Sequence, residues 1–224
     1  MMRGKLIVVE GSDCTGKTTQ ANMLIDFLKQ SGHDVKVLDF PTYEKTPGGT
    51  TVKWYLEGKF GKLDEVSPEV ACLTFALDRY QFAKENYYAI AQGKFMVANR
   101  YTQSNIGHQG GKFKGPERTK FIDWIEKVES RMPQPDFVVY LDLPVEISLK
   151  LKQKRGDNKG ARGQDIHEAD IQHLKDAREC YLETAKRKNW IMIDCKRKDA
   201  ADIRSIEDIH KEILAKLKEK GALD

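Results

Sequence analysis

Long apolar stretches are missing from this chain of 224 residues. A membrane-spanning helix needs about 20 consecutive apolar residues, and no stretch approaches that length. An apolar run starts at Leu6, but Glu10 interrupts it too early for a secretory signal. These absences argue against a membrane or secreted protein, and we expect a soluble protein of the cytoplasm.

Cysteine is sparse, and neither cysteine nor histidine is spaced as metal ligands are. The four cysteines lie far apart, which is typical of free thiols in a reducing compartment. Among the five histidines we expect His167 and His173 on a helix surface or at a helix cap. The cysteines are Cys14, Cys72, Cys180 and Cys195.

Neither sign of charge dominates the composition. Lys and Arg total 38 and Asp and Glu total 34, which leaves a net charge of +4. The basic residues form no run interleaved with aromatic side chains, so the sequence gives no reason to expect a nucleic-acid partner. A mild positive balance suits phosphorylated small molecules.

The most informative stretch that is present is glycine-rich and fits G-x-x-x-x-G-K-[ST], a phosphate-binding loop (P-loop). A buried strand is predicted before it and an amphipathic helix after it, which is the order the motif requires. Backbone N–H groups of the loop would surround a phosphate, Lys17 would reach the β- and γ-phosphates, and Thr18 would ligate Mg²⁺. The residues expected to bind the nucleoside triphosphate are Gly11, Ser12, Asp13, Cys14, Thr15, Gly16, Lys17, Thr18 and Thr19.

Strands alternate with helices along the whole chain, without repeats or a domain boundary. This pattern predicts a single domain over residues 1–224, with a three-layer, doubly wound P-loop fold, a five-stranded parallel sheet and a short lid at about 155–164. Strands are predicted at 5–10, 35–40, 95–98, 137–141 and 190–193. The strand at 35–40 is expected at an edge of the sheet. Helices are predicted from residue 18, over 52–56, 68–91, 116–130 and 145–154, in part of 102–115, from a capping box at 165–168 through 185, and over 203–217.

Ligands of such sheets bind beyond the carboxyl ends of the strands. We therefore expect the P-loop, Phe40-Pro41, Asn99-Arg100 and Asp142 at one rim of the sheet. Asp142 is expected to help hold the metal through a water.

Phe75 and Arg79 stand four residues apart and share one face of a predicted helix. An aromatic ring beside a guanidinium can stack on a base and hydrogen-bond its oxygen. The alternative is that Phe75 belongs to the core and that Arg79 is a surface charge.

Other charged residues are candidates for handling phosphate. Arg100 would clamp phosphate oxygens, or form an ordinary salt bridge. Asp13 would accept a hydrogen bond from a sugar hydroxyl, or only stabilise its own loop. Arg155 and Arg162 stand among glycines and would close over the triphosphate, unless they belong to a solvated basic loop.

Taken together, the ordered motifs resemble the thymidylate kinase family over nearly the whole chain. They are Glu10-Gly11-Ser12-Asp13 with Gly16-Lys17-Thr18-Thr19-Gln20, Phe40-Pro41, Phe75-Ala76-Leu77-Asp78-Arg79, Asn99-Arg100-Tyr101, Ser104 through Gln109-Gly110, Pro135-Asp136, Val139-Tyr140-Leu141-Asp142, 165–168, and Tyr181-Leu182.

The resemblance implies an enzyme that transfers phosphate from ATP to thymidine 5′-monophosphate in dTTP biosynthesis, with Mg²⁺ and as a homodimer. Phe75 would stack on thymine, Arg79 would bond its ring oxygen, and Asp13 would accept from the 3′-hydroxyl. Lys17, Arg100, Arg155 and Arg162 are the predicted catalytic residues. The predicted monophosphate contacts are Asp13, Phe40, Pro41, Phe75, Arg79, Arg100, Ser104, His108 and Gln109.

Three positions depart from the family pattern. Asn99 replaces the usual Asp, Thr42-Tyr43 stands where an arginine often follows Phe-Pro, and His108 stands where tyrosine is common. The first two leave open a nucleotide-binding regulatory protein without turnover. The third bears on the sugar preference. A kinase for another deoxynucleotide or for a deoxynucleoside is the second alternative.

Overall fold

Five parallel strands form the centre of the computed structural model, which describes residues 3–154, 167, 170–199 and 201–223. The strand order β2-β3-β1-β4-β5 confirms the doubly wound fold and places the half-exposed strand β2 at an edge, as predicted. The strands are β1 Leu6–Gly11, β2 Val35–Asp39, β3 Phe95–Asn99, β4 Phe137–Asp142 and β5 Ile191–Asp194.

Helices cover both faces of the sheet, so the strands that lie inside it are apolar throughout. Ile7 and Val9 face one layer of the core, whereas Leu6 and Val8 face the other, as the two-residue period of a strand requires. The helices of the described residues are α1 Lys17–Gln30, α2 Pro47–Leu56, α3 Pro68–Tyr80, α4 Ala83–Ala91, α5 Thr102–Gly110, α6 Gly115–Val128, α7 Val145–Lys154, α8 Ile171–Arg187 and α9 Ile206–Glu219.

The prediction of one continuous helix over 68–91 is wrong at its middle. Its start is confirmed, because Ser67 caps α3 by accepting from the Val70 amide. The chain then turns at residues 81–82, where the Phe82 amide bonds the Arg79 carbonyl three residues back. The Phe82 ring packs edge-on against Phe40, 5.8 Å between centroids, and this tertiary contact accompanies the break.

The start of α8 also differs from the prediction. The described cap is Asp170, whose Oδ1 accepts from the His173 amide at 2.9 Å. Of the capping box predicted at 165–168, only His167 lies within the described residues. The lid expected at about 155–164 lies outside them altogether. In the part of the chain that is described, we find no helix long and apolar enough to cross a bilayer.

Candidate active site

The P-loop joins β1 to α1 in the predicted conformation. Gly11 and Gly16 have positive φ values of 153° and 87°, and Gly16 immediately precedes the first turn of α1. A Cβ on Gly11 would lie 2.7 Å from the Leu141 carbonyl oxygen, so only glycine fits there. The loop is braced internally, because Thr15 Oγ1 donates to the Ser12 carbonyl at 2.8 Å. The backbone is thereby held in the curve that a phosphate-binding loop needs.

Three charged side chains meet at the mouth of this loop. Asp13 Oδ1 lies 2.5 Å from Arg100 Nη2 and 3.5 Å from Lys17 Nζ. Burial alone would raise the pKa of Asp13, but the two cations hold it well below its usual range. Burial, with Arg100 beside it, lowers the pKa of Lys17 to about 8. Arg100 adopts a left-handed backbone, φ 64°, a conformation that costs free energy in non-glycine residues and is common at functional sites.

Two cavities open on either side of Asp13 and Arg100. The first runs along the P-loop, and Lys17, Thr18 and Thr19 line it. The second lies between α3, α5 and the segment after β2. Asp13, Phe40, Pro41 and Arg100 line both cavities. The P-loop cavity also includes Cys14 and Gly16, whereas Gly11, Ser12 and Thr15 are buried beneath it.

Eight of the nine residues predicted to contact the monophosphate line the second cavity. Gln109 does not. Its side chain is fully buried, and neither its Oε1 nor its Nε2 has a hydrogen-bond partner among the described residues. The helical period of α5 explains this, since His108 faces the cavity and the next residue turns about 100° away from it. The eight lining residues are Asp13, Phe40, Pro41, Phe75, Arg79, Arg100, Ser104 and His108.

Phe75 and Arg79 both face the second cavity, as their spacing predicted, but Arg79 is not a surface charge. It is only 2% exposed, and its Nη2 pairs with Glu129. Asn105 Nδ2 donates to the same Glu129 oxygen at 3.1 Å. Burial raises the pKa of Glu129, an effect that Arg79 opposes. Glu129 is a residue of the site that sequence reasoning missed, because no local pattern links positions 50 residues apart.

Ser104 reaches the second cavity because Glu10 anchors the start of α5. Glu10 is fully buried, and its Oε1 accepts from the Tyr101 amide at 2.9 Å and from Ser104 Oγ at 2.8 Å. Its second oxygen accepts from Tyr181 of α8 at 3.1 Å. The last side chain of β1 before the P-loop therefore positions two helices around the site.

Of the two residues predicted to hold the metal, Thr18 lines the P-loop cavity and Asp142 does not. Arg178 Nε and Nη2 each donate to the Asp142 carboxylate at 2.8 Å. Asp39, at the end of β2, lines that cavity together with Thr18. Asn99 Nδ2 donates to both, at 3.2 Å to Thr18 Oγ1 and 3.0 Å to Asp39 Oδ1. The signal that could have found Asp39 is its place at a strand end directly before Phe40-Pro41.

The expectation that His167 and His173 are surface or capping residues is wrong. Both are buried, and their rings cluster with that of His108 at centroid distances of 4.7 to 5.5 Å. His108 Nδ1 lies 3.3 Å from His173 Nε2, and His108 Nε2 lies 3.4 Å from Arg100 Nη1. Burial lowers the pKa of His108 and His167 well below the usual range and that of His173 to about 4. Arg155 and Arg162, predicted to act on phosphate, lie outside the described residues.

Comparison with known proteins agrees with this geometry. Residues 9–213 match the family model of thymidylate kinase. This chain belongs to the thymidylate kinase family. A probable thymidylate kinase of Pyrococcus horikoshii is 31% identical over 97% of each chain. The thymidylate kinase of Plasmodium falciparum is also 31% identical, over 95% of this chain and 89% of the relative.

More distant members of the family also match over most of their length. The human thymidylate kinase is 29% identical over 94% of this chain and 88% of its own. The solved thymidylate kinase of Candida albicans superposes with a TM-score of 0.72 over 98% of this chain and 93% of that one. At 24% identity, that likeness supports the fold. Membership of the family makes the chain a nucleotide kinase.

Proposed function

We propose that this protein transfers the γ-phosphoryl group of ATP to thymidine 5′-monophosphate. The observation that carries the proposal is the arrangement of the two cavities. The P-loop cavity suits the triphosphate, and the cavity that holds Phe75 and Arg79 suits a nucleotide base. Asp13 and Arg100 line both cavities, so the two phosphate groups would meet beside them.

The chemistry needs no general base, since the acceptor oxygen is already an ionised phosphate. Catalysis then consists of holding the two phosphates in line and neutralising the charge of the transferring group. Lys17 Nζ donates a hydrogen bond to the Ser12 carbonyl at 2.6 Å, which holds the ammonium group within the P-loop. There it would bind the phosphates of ATP, the phosphoryl donor. Arg100 would exchange its bond to Asp13 for the acceptor phosphate and leave that carboxylate for the sugar 3′-hydroxyl. The lid arginines Arg155 and Arg162 stay a prediction from sequence.

Mg²⁺ is the second part of the proposal. The residues around Thr18 fit a hard cation, because such ions prefer oxygen ligands. Thr18 Oγ1 and Asp39 Oδ1 are two such oxygen atoms, and both accept a hydrogen bond from the Asn99 side-chain amide. Asn99 Oδ1 is buried and has no partner among the described residues, so it would accept a hydrogen bond from a metal-bound water. When bound, Mg²⁺ would neutralise charge on the β- and γ-phosphates. Thr18 and Asp39 would hold it, and Asn99 would orient its water.

Thymine recognition rests on Phe75 and Arg79. Phe75 lines the second cavity, and its ring packs edge-on against Tyr55, 5.8 Å between centroids. Arg79 Nε is buried and has no partner among the described residues. Because a buried unpaired donor costs roughly 1–3 kcal/mol, a ring oxygen of the base would satisfy it. The pair Arg79–Glu129 holds the guanidinium ready for that bond.

A homodimer is proposed as the working form. The outer face of α3 presents an apolar stripe, with Val70, Leu73 and Leu77 each about half exposed. Their spacing places them on one face of the helix, where a second copy of the chain would cover them. We also propose that the reaction takes place in the cytoplasm. The four cysteines form no disulfide in the described structure, which agrees with a reducing compartment.

The deciding experiment measures ADP release when the protein is mixed with ATP, Mg²⁺ and a panel of nucleosides and nucleoside monophosphates. We expect turnover with thymidine monophosphate to exceed turnover with every other acceptor. Faster turnover with another deoxynucleotide or with a deoxynucleoside would identify a different kinase. No turnover with any acceptor would favour the regulatory protein.

A further inference from the structure

The steps of the phosphoryl transfer described above use no side chain of the cluster formed by His108, His167 and His173. One ring nitrogen from each of the three lies within 4.8 Å of the other two, and all three side chains are buried. The three residues come from separate places in the chain: α5, the segment before α8, and the first turn of α8. The fold therefore gathers three of the five histidines at one point.

We propose that these three histidines form a binding site for a transition-metal ion of the Zn²⁺ type. Two nitrogens bonded to one tetrahedral zinc at about 2.0–2.1 Å lie about 3.4 Å apart. The 3.3 Å between His108 Nδ1 and His173 Nε2 matches that separation. Three imidazoles and one open position resemble the ligand set of zinc sites that keep a place for water or another ligand.

The chemistry of the donors distinguishes this site from the Mg²⁺ site. Imidazole nitrogen suits zinc, copper, nickel and cobalt, whereas Mg²⁺ takes oxygen ligands. The rings are also in the right state, since burial keeps them neutral at neutral pH and a neutral ring offers a lone pair. Thr18 and Asp39 would therefore keep Mg²⁺ while the three histidines take the softer ion.

Groups around the cluster help to hold the rings and to offset the charge of the ion. The Tyr55 hydroxyl lies 2.8 Å from His167 Nε2, the kind of outer hydrogen bond that orients ligating histidines. The negative charges of Asp170 and Asp176 favour a positive charge at His173, whereas the positive charge of Lys112 opposes it. On the other side, Asp13 favours positive charge at His108, whereas Arg100 and Lys17 oppose it.

Arg100 connects the metal site to the substrate cavity. A zinc ion on Nδ1 of His108 would place the ring proton on Nε2, the atom that lies 3.4 Å from Arg100 Nη1. Two donors would then face each other, and Arg100 Nη1 would lose this acceptor while Nη2 keeps Asp13. His108 and His167 also line the cavity assigned to the monophosphate. Resting on the proposed function, this argument predicts that zinc raises the KM for the monophosphate more than the KM for ATP.

The test of the site uses Co²⁺ as a spectroscopic probe on the full, nucleotide-free chain. We expect a saturable visible spectrum of a four-coordinate nitrogen site, one ion per chain, which Zn²⁺ displaces. His173→Gln should weaken binding by more than about tenfold, as loss of even outer-shell groups costs 10–100-fold. His33→Gln, which removes a histidine outside the cluster, is the matched control and should bind as the parent does.

Three results would overturn the site. They are the absence of saturable binding, equal affinity in His173→Gln and His33→Gln, and a thiolate-to-cobalt band that assigns the ion to Cys14. Should His173→Gln fail to fold, X-ray absorption of the zinc-loaded parent chain decides, because sulfur in the first shell contradicts the site and nitrogen alone supports it. Binding is measured without substrate, so its outcome is independent of whether thymidine monophosphate is the acceptor.

Discussion

At the scale of single residues, the site depends on charged side chains that are held in pairs. Arg79 and Glu129 are both buried, whereas Asp13 and Arg100 form a pair that stays partly exposed. Removing one partner of the buried pair leaves an unpaired buried charge, which costs about 3–5 kcal/mol. A substitution in this site therefore changes stability as well as binding, and the experiments must separate the two effects.

The role of Arg79 can be tested in a way that separates its effect on stability from its effect on binding. Arg79→Met should lower the free energy of unfolding and raise the KM for the monophosphate. The double variant Arg79→Met with Glu129→Gln removes both charges, so it should recover stability but not the KM. Losing the charge-assisted bond to the base should cost about 1.5–3 kcal/mol in kcat/KM for the monophosphate, with little change in the KM for ATP.

Arg118 supplies the control for that experiment. It is also buried and pairs with Glu179 and Glu183, but it does not line either cavity. Arg118→Met should therefore cost stability without a change in either KM. If Arg79→Met raised both KM values equally, the assignment of Arg79 to the base would be wrong.

Asp13 is tested by changing the protein and the substrate together. The parent should prefer thymidine monophosphate over its 3′-deoxy analogue, because the 3′-hydroxyl would donate to a carboxylate, a bond worth about 1.5–3 kcal/mol. Asp13→Asn should lose most of this preference in kcat/KM, whatever it does to the rate itself. The measurement is the coupling energy between the two changes, Asp13→Asn in the protein and loss of the 3′-hydroxyl in the substrate. A preference that survives in Asp13→Asn would show that another group holds the hydroxyl.

At the scale of elements, the ends of β2 and β3 position the residues proposed to hold the metal. Asp39 and Asn99 are paired in register across the two strands. Thr18 lies in the first turn of α1, after the P-loop that follows β1, the other neighbour of β3. Parallel pairing brings these side chains together at the carboxyl edge of the sheet. By contrast, Asp142 at the end of β4 is committed to Arg178 of α8.

Asn99→Asp should therefore tighten Mg²⁺ binding. The variant adds a second carboxylate beside Asp39, so the Mg²⁺ concentration for half-maximal activity should fall. Without Mg²⁺ the two like charges should repel, and the melting temperature should fall. Asp142→Asn is the control and should leave the Mg²⁺ requirement unchanged. An unaltered or higher Mg²⁺ requirement in Asn99→Asp would contradict Asp39 and Thr18 as the ligands.

The segment that precedes α8 carries the next prediction. The P-loop has no positive side chain other than Lys17 between Gly11 and Thr18, so charge on the transferring group must be neutralised from elsewhere. We expect the double variant Arg155→Ala with Arg162→Ala to lose about 10³-fold in kcat, as with other arginines that contact a transition state. Binding of the monophosphate should change little.

Arg131→Ala, an exposed arginine outside both cavities, is the control for nonspecific loss of charge. If the double variant kept kcat within a few-fold of the parent, the neutralising charge would have to come from Arg100.

At the scale of the whole molecule, the apolar face of α3 distinguishes a monomer from a dimer. Leu73→Glu with Leu77→Glu places charges on that face and should convert a dimer into monomers, as sedimentation velocity would show. Ile171→Glu, at an equally exposed position at the start of α8, should leave the dimer intact. A parent chain that sediments as a monomer at all concentrations would refute the dimer.

The sequence by itself determined the P-loop, five strands and the edge position of β2, and eight of the nine residues predicted to contact the monophosphate line the second cavity. These features depend on short-range rules, namely glycine geometry, apolar periodicity and strand ends that share one rim. Only the tertiary structure decided that Asp39 and not Asp142 lines the P-loop cavity with Thr18, that Glu129 holds Arg79, that Gln109 turns away, and that three histidines meet. Each of these outcomes depends on which side chains meet across elements distant in sequence, or on which face of a helix is buried. Neither is encoded in the local spacing of residues.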